Sequence, residues 1–105
     1  MIKIQIKRKN GNIVLFSLNG HAGFAEFGKD IVCAGVSSIL TTTVNAILMF
    51  DESSIEIEDK KDFIIRVKKE DEITEKLLEN MFLLFQELVK SYPKNVKIKE
   101  DIETC

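Results

Sequence analysis

Cys33 and His21 are the only interior thiol and the only imidazole in this chain, and they lie twelve positions apart. They fall within Gly20-His21-Ala22-Gly23-Phe24-Ala25-Glu26-Phe27-Gly28-Lys29-Asp30-Ile31-Val32-Cys33-Ala34-Gly35-Val36-Ser37. A thiol attacks carbonyls only as its thiolate, which a neighbouring imidazole or the N-terminal end of a helix can create. The segment offers both means, so nucleophilic catalysis by Cys33 with His21 as base is one reading. The other is structural, because free cysteine is among the most often buried residues and packs as a small hydrophobe. A zinc site needs three or four ligands, whereas the segment brings one histidine, one cysteine and two carboxylates without compact spacing. No metal and no cofactor are expected.

The elements around the pair follow from periodicity. Ile2, Ile4 and Ile6 alternate with Lys3, Gln5 and Lys7, the pattern of a half-buried strand. Asn10-Gly11 fits a type I′ turn, and Ile13 to Leu18 reads as the returning strand of a hairpin. After Asn19 the glycines Gly20, Gly23 and Gly28 punctuate a stretch without strand or helix period, which reads as a glycine-hinged loop. Asp30 is a good N-cap, and Val32, Val36, Leu40, Val44, Ile47 and Leu48 then recur at helical spacing up to Phe50. With Asp30 as cap, Cys33 would be the third helical residue, beside unsatisfied N–H groups at the positive end of the helix dipole. That field contributes about 0.3 to 1 kcal/mol, so most of the activation would fall to His21. The other helix face carries Ser37, Ser38, Thr41, Thr42 and Asn45, suited to a polar interior, a site wall or a subunit contact.

Ile55 and Ile57, then Phe63, Ile65 and Val67, read as a second hairpin joined across Asp59-Lys60-Lys61-Asp62. Leu77, Leu78, Met81, Leu84, Phe85 and Leu88 mark a second helix from about Glu72 to about Ser91, with Pro93 blocking its extension. Val96 and Ile98 suggest a short last strand, and Glu100 to Cys105 a frayed tail. The order ββαββαβ implies an α+β fold. Its form is a two-layer α/β sandwich, with two helices on a mixed, mostly antiparallel sheet of about five strands. The last strand is free to insert in parallel.

A length of 105 residues fits a single domain, 1–105. Fifteen basic against 17 acidic side chains, net charge −2, give no field that would draw the chain to nucleic acid. Lys7-Arg8-Lys9 reads as a solvated strand end. Two cysteines make no disulfide framework, and no apolar run approaches about 18 residues, so a cytoplasmic protein without a membrane span is expected.

The segment resembles the ribosomal-processing cysteine proteases of bacteria. The matching residues are Gly20-His21-Ala22, Gly28, Asp30, Val32-Cys33-Ala34-Gly35 and Ser37. The resemblance implies one cysteine protease domain with Cys33 as nucleophile and His21 as general base and then acid. It further implies a homodimer. The implied substrate is the precursor of a large-subunit ribosomal protein, the one numbered twenty-seven, whose N-terminal extension is removed. Asp30 either caps the helix or orients His21. Ser37, one turn beyond Cys33, either supports the reacting centre or bonds to its own backbone. Gly23, Phe24, Phe27 and Gly28 would form a substrate loop, although the two phenylalanines suit core anchors equally well. The rival readings are a non-catalytic ribosome-associated binding module and a small-molecule thiol hydrolase or acyltransferase.

Overall fold

The computed structural model describes residues 1–20 and 27–103. The first hairpin pairs β1 (Ile2–Lys9) with β2 (Asn12–Asn19), antiparallel. Asn10 and Gly11 turn it with φ of 53° and 85°, the two positive values a type I′ turn requires. Val14 is skipped between Ile13, opposite Arg8, and Leu15, opposite Lys7, so β2 carries a one-residue bulge. The second hairpin joins β3 (Ile55–Asp59) to β4 (Phe63–Val67), and β4 pairs with β2. The last strand, β5 (Val96–Glu103), lies parallel to β1. The sheet is mixed with one parallel pair, as the element order implied, and its strand order, which periodicity leaves open, is β3-β4-β2-β1-β5.

Two helices, α1 (Phe27–Phe50) and α2 (Glu72–Ser91), share one core with the sheet. Ile2, Ile4, Ile6, Phe16, Ile65 and Val96 meet Val32, Val36, Ile47, Leu78, Met81 and Phe85 there. Phe16 and Phe85 stack with ring centroids 5.7 Å apart. α2 starts where its cap chemistry says it should. The Asp71 carboxylate accepts from the Ile73 N–H at 3.2 Å and from the Thr74 hydroxyl at 2.9 Å.

Two expectations need correction. First, α1 begins at Phe27, so Asp30 is its fourth residue and not its N-cap, and Phe27 and Gly28 belong to the helix instead of a loop. An acidic residue is favoured throughout the first turn, and sequence alone does not separate that position from the cap. Second, β5 continues to Glu103 where a frayed tail was expected, because β1 offers a partner for every residue up to Lys9. Side chains lock this added length: Gln5 donates to Asp101 at 2.8 Å, and Arg8 pairs with Glu100 and with Glu79 of α2 while lying 5.0 Å over the Phe82 ring. These partners, Glu79 foremost, raise the Arg8 pKa above its usual value. Arg8 is therefore a bolt between β1, β5 and α2, not a free strand-end charge. Ile31–Phe50 is 20 residues long and, by length and composition only, apolar enough to cross a membrane. No single apolar run shows this, since Ser, Thr and Asn interrupt the stretch without adding charge. Val32, Val36, Val44 and Ile47 of that helix are built into the core.

Candidate active site

The motif is reached through β2. Asn19 pairs with Lys3, and Gly20 follows with φ +82°. A Cβ on Gly20 would lie 2.4 Å from the Met1 carbonyl oxygen, so only glycine lets the chain leave β2 past the N-terminus. This constraint was readable in principle, since counting back along the hairpin from Asn10-Gly11 sets the first residues opposite Gly20. The bulge at Val14 shifts that count by one. His21, Gly23 and Phe24 lie outside the described residues.

The chain re-enters at Phe27, and Cys33 falls in the second turn of α1. It is a free thiol, partly buried and packed against the core beside fully buried Val32. Since the dipole field fades within the first turn, it gives Cys33 less than a third-position residue would receive. Gly35 lies against Leu88 of α2, where a Cβ would sit 3.7 Å from the leucine methyl. From there a chain of contacts leads back to β2. Tyr92 N–H donates to the Leu88 carbonyl, Asn95 N–H to the Tyr92 carbonyl, Ile2 N–H to the Asn95 carbonyl, and Met1 touches the Gly20 position. These contacts link α1, two residues beyond Cys33, through α2 and the start of β1 to the point where β2 ends.

Ser37 is exposed one turn beyond Cys33, and Ser38, Thr41, Thr42 and Asn45 are exposed as well. Of the three uses open to this face, a buried polar interior within the chain is ruled out. Leu40, Thr41, Val44 and Asn45 form one wall of a groove of about 220 Å³, with Ile57, Asp59 and Phe63 of the second hairpin opposite. Cys33, Ser37 and Thr41 follow one another at one-turn spacing along α1, and the groove lies at the Thr41 end of that row.

Comparison with known proteins decides the family. The model of the family described as cysteine protease Prp matches residues 1–97. The chain belongs to this family. It is a cysteine protease. Over an alignment of 111 positions it is 32% identical to the ribosomal processing cysteine protease Prp of Bacillus subtilis, covering 97% of this chain and 99% of that protein. The Prp of Staphylococcus aureus strain Mu50 is 32% identical over 103 positions, covering 93% and 97%. Among solved structures, SMU.848 from Streptococcus mutans superposes with a TM-score of 0.89 at 28% identity, over 98% of this chain and 96% of that one. The essential ribosomal processing protease Prp of S. aureus, crystallised with a covalently linked product peptide, gives a TM-score of 0.87 at 28% identity, over 96% and 100%. The likeness to the S. aureus Prp structure thus extends over nearly the whole fold.

Proposed function

We propose that this chain is an endopeptidase that removes the N-terminal extension of a large-subunit ribosomal protein, the one numbered twenty-seven, using Cys33 and His21. The observation that carries the reading is the covalent product peptide in the S. aureus relative, similar over nearly the whole chain. A protein–peptide covalent bond needs a nucleophile, and Cys33 is the cysteine of the matched segment. The Cys33 thiolate attacks the scissile carbonyl and forms the C–S bond. The C–N bond then breaks as the His21 imidazolium protonates the departing amine. Water, deprotonated by His21, opens the thioester and returns the thiolate. With the dipole field weak at the second turn, the activation of the sulfur falls to the His21 imidazole in this reading.

Ser37 supports the reacting centre from one turn away, and Asp30, freed from the capping role, orients His21. Gly23 and Phe24 cover the bound peptide, with Phe27 and Gly28 contributing from the first turn of α1. The protein acts in the cytoplasm as a homodimer, without direct contact to nucleic acid. The engagement of Arg8 by Glu79 and Glu100 supports the last point, since it removes the central charge of Lys7-Arg8-Lys9 from the surface.

The test is incubation with a synthetic peptide spanning the precursor's N-terminus, read by mass spectrometry. The native chain should cut it once, and Cys33→Ala and His21→Ala should leave it whole. Binding without cleavage by the native chain would favour the binding module, and hydrolysis of small thioesters with the peptide intact would favour a thiol hydrolase.

A further inference from the structure

On the face of the sheet away from the helices, strand alternation places Lys3 and Gln5 of β1, Ser17 of β2, and Lys97 and Lys99 of β5. The register sets Lys3 directly beside Lys97, and Gln5 between Lys99 and Ser17. These five residues line a cavity of about 380 Å³, which Asp62, just before β4, lines as well.

The two halves of this face arrange their charges differently. Toward β3 and β4 the bases are matched: Arg66 pairs with Glu58 at 3.1 Å and with Glu56, which Lys68 also reaches. Toward β1 and β5 they are not. Lys3, Lys97 and Lys99 form no ion pair among the described residues, although Lys3 and Lys97 are direct neighbours and like charges so placed are unfavourable. The Asp101 carboxylate on β5 accepts from the Gln5 amide at 2.8 Å instead. Asp62 stays apart too, its Oδ1 buried without a hydrogen-bond partner among the described residues. β4 and β5 are three strand spacings apart, about 14 Å, so Asp62 and the β5 lysines stand on opposite sides of the cavity.

We propose that this cavity binds a small phosphate monoester that carries hydroxyl groups, of the class of ribose 5-phosphate. Three ammonium groups against one carboxylate leave a local excess of two positive charges, in a chain whose net charge is −2. A phosphate monoester carries about −1.5 to −2 at neutral pH and matches that excess. Its oxygens accept from Lys3, Lys97 and Lys99, while the sugar hydroxyls donate to the Asp62 carboxylate. The ligand thus bridges two charged sides that the chain itself keeps apart. The cavity volume lies at the lower end of the range for small-molecule sites. No aromatic side chain lines it among the described residues, so a nucleobase finds nothing to stack on and recognition ends at the sugar phosphate.

Isothermal titration calorimetry on the full chain at low salt tests this, with circular dichroism checking that each variant is folded. The probes are ribose 5-phosphate, adenosine monophosphate, inorganic phosphate and a short oligoribonucleotide. The two sugar phosphates should bind with similar affinity, and inorganic phosphate, which cannot span to Asp62, about tenfold or more weaker. Lys3→Gln combined with Lys97→Gln, both at exposed positions, should weaken ribose 5-phosphate about tenfold or more. Asp62→Asn should narrow the gap between ribose 5-phosphate and inorganic phosphate, and Lys68→Gln, on the matched half of the face, should change neither. Absence of binding by both sugar phosphates at millimolar concentration would overturn the site. So would affinity that survives the double lysine variant, or that falls as far with Lys68→Gln. Adenosine monophosphate bound about tenfold more tightly than ribose 5-phosphate, or the oligoribonucleotide more tightly than either, would overturn the ligand class.

Discussion

α1 and α2 are of similar length, 24 and 20 residues, and meet in one core, yet they are held in place by opposite means. α2 is specified by its own residues. Asp71 caps it, Glu72 and Glu75 suit its positive end, Lys90 suits its last turn, and Leu78, Met81, Phe82 and Phe85 form one buried stripe. α1 shares the buried stripe, through Val32, Val36, Val44 and Ile47, but has none of the charged end markers over Ile31–Phe50: no charge, no basic residue in its last turn, and Ile31, Met49 and Phe50 left exposed. Its C-terminal end is instead tied down from outside. Asp51 accepts from Ser53 and pairs with Lys69 at 2.5 Å, beyond the end of β4. The helix that fixes the fold is thus locally encoded, whereas the helix that carries the thiol depends on its surroundings. Conflict with local rules is where function is expected to show.

That contrast can be broken first at its extremes. Cys33→Ala should lower peptide cleavage about ten-thousandfold or more while shifting the urea midpoint little, because a partly buried sulfur is replaced by a helix former. Phe85→Ala should do the reverse in stability, losing about 3 to 5 kcal/mol with the stack on Phe16, measured by urea unfolding. If both variants unfolded the chain equally, α1 would be as structural as α2.

The next test concerns the bolt between α2 and the sheet. Lysine cannot reproduce a guanidinium that reaches Glu79 through two nitrogens, Glu100 through a third, and the Phe82 ring. Arg8→Lys should therefore cost about 1 to 2 kcal/mol in urea unfolding, discounted because Glu79 is partly exposed. Asp71→Ala should cost about 1 kcal/mol through the lost cap on α2, visible as a lower thermal midpoint. Asp30→Ser should give no comparable loss on α1, since residue 30 is not a cap.

The smallest effect is a pH dependence at the end of α1. The bond from Lys69, followed by those from Ser53, holds the Asp51 carboxyl down at about 2, below its ordinary value of 3.8. A depressed folded-state value stabilises above the unfolded value and is lost as pH falls through the folded one. The native chain should therefore lose this contribution between about pH 4 and pH 2, and Asp51→Asn should flatten that part of the stability curve.

The same contrast explains what could be read in advance. Both hairpins, the type I′ turn and the limits of α2 were legible because alternation, Asn10-Gly11, the apolar stripe and Pro93 are local signals. The start of α1 was not, since Asp30 satisfies a first turn as well as a cap. The length of β5 was not either, because its charged residues become strand only beside β1, Gln5 and Arg8. At the site, the candidate pair was visible from residue type alone. What lay hidden was depth along the helix, as Cys33 sits one turn further from the dipole than spacing suggested.

The most direct measurement is the intact mass of the protein, quenched early in turnover with the precursor peptide and then mapped by fragmentation. The expected result is a transient species heavier by the N-terminal cleavage fragment less one water, carried on Cys33 and absent from Cys33→Ala. Cleavage that proceeds at native rate in Cys33→Ala, or an adduct on any other residue, would contradict the assignment of α1 as the catalytic helix.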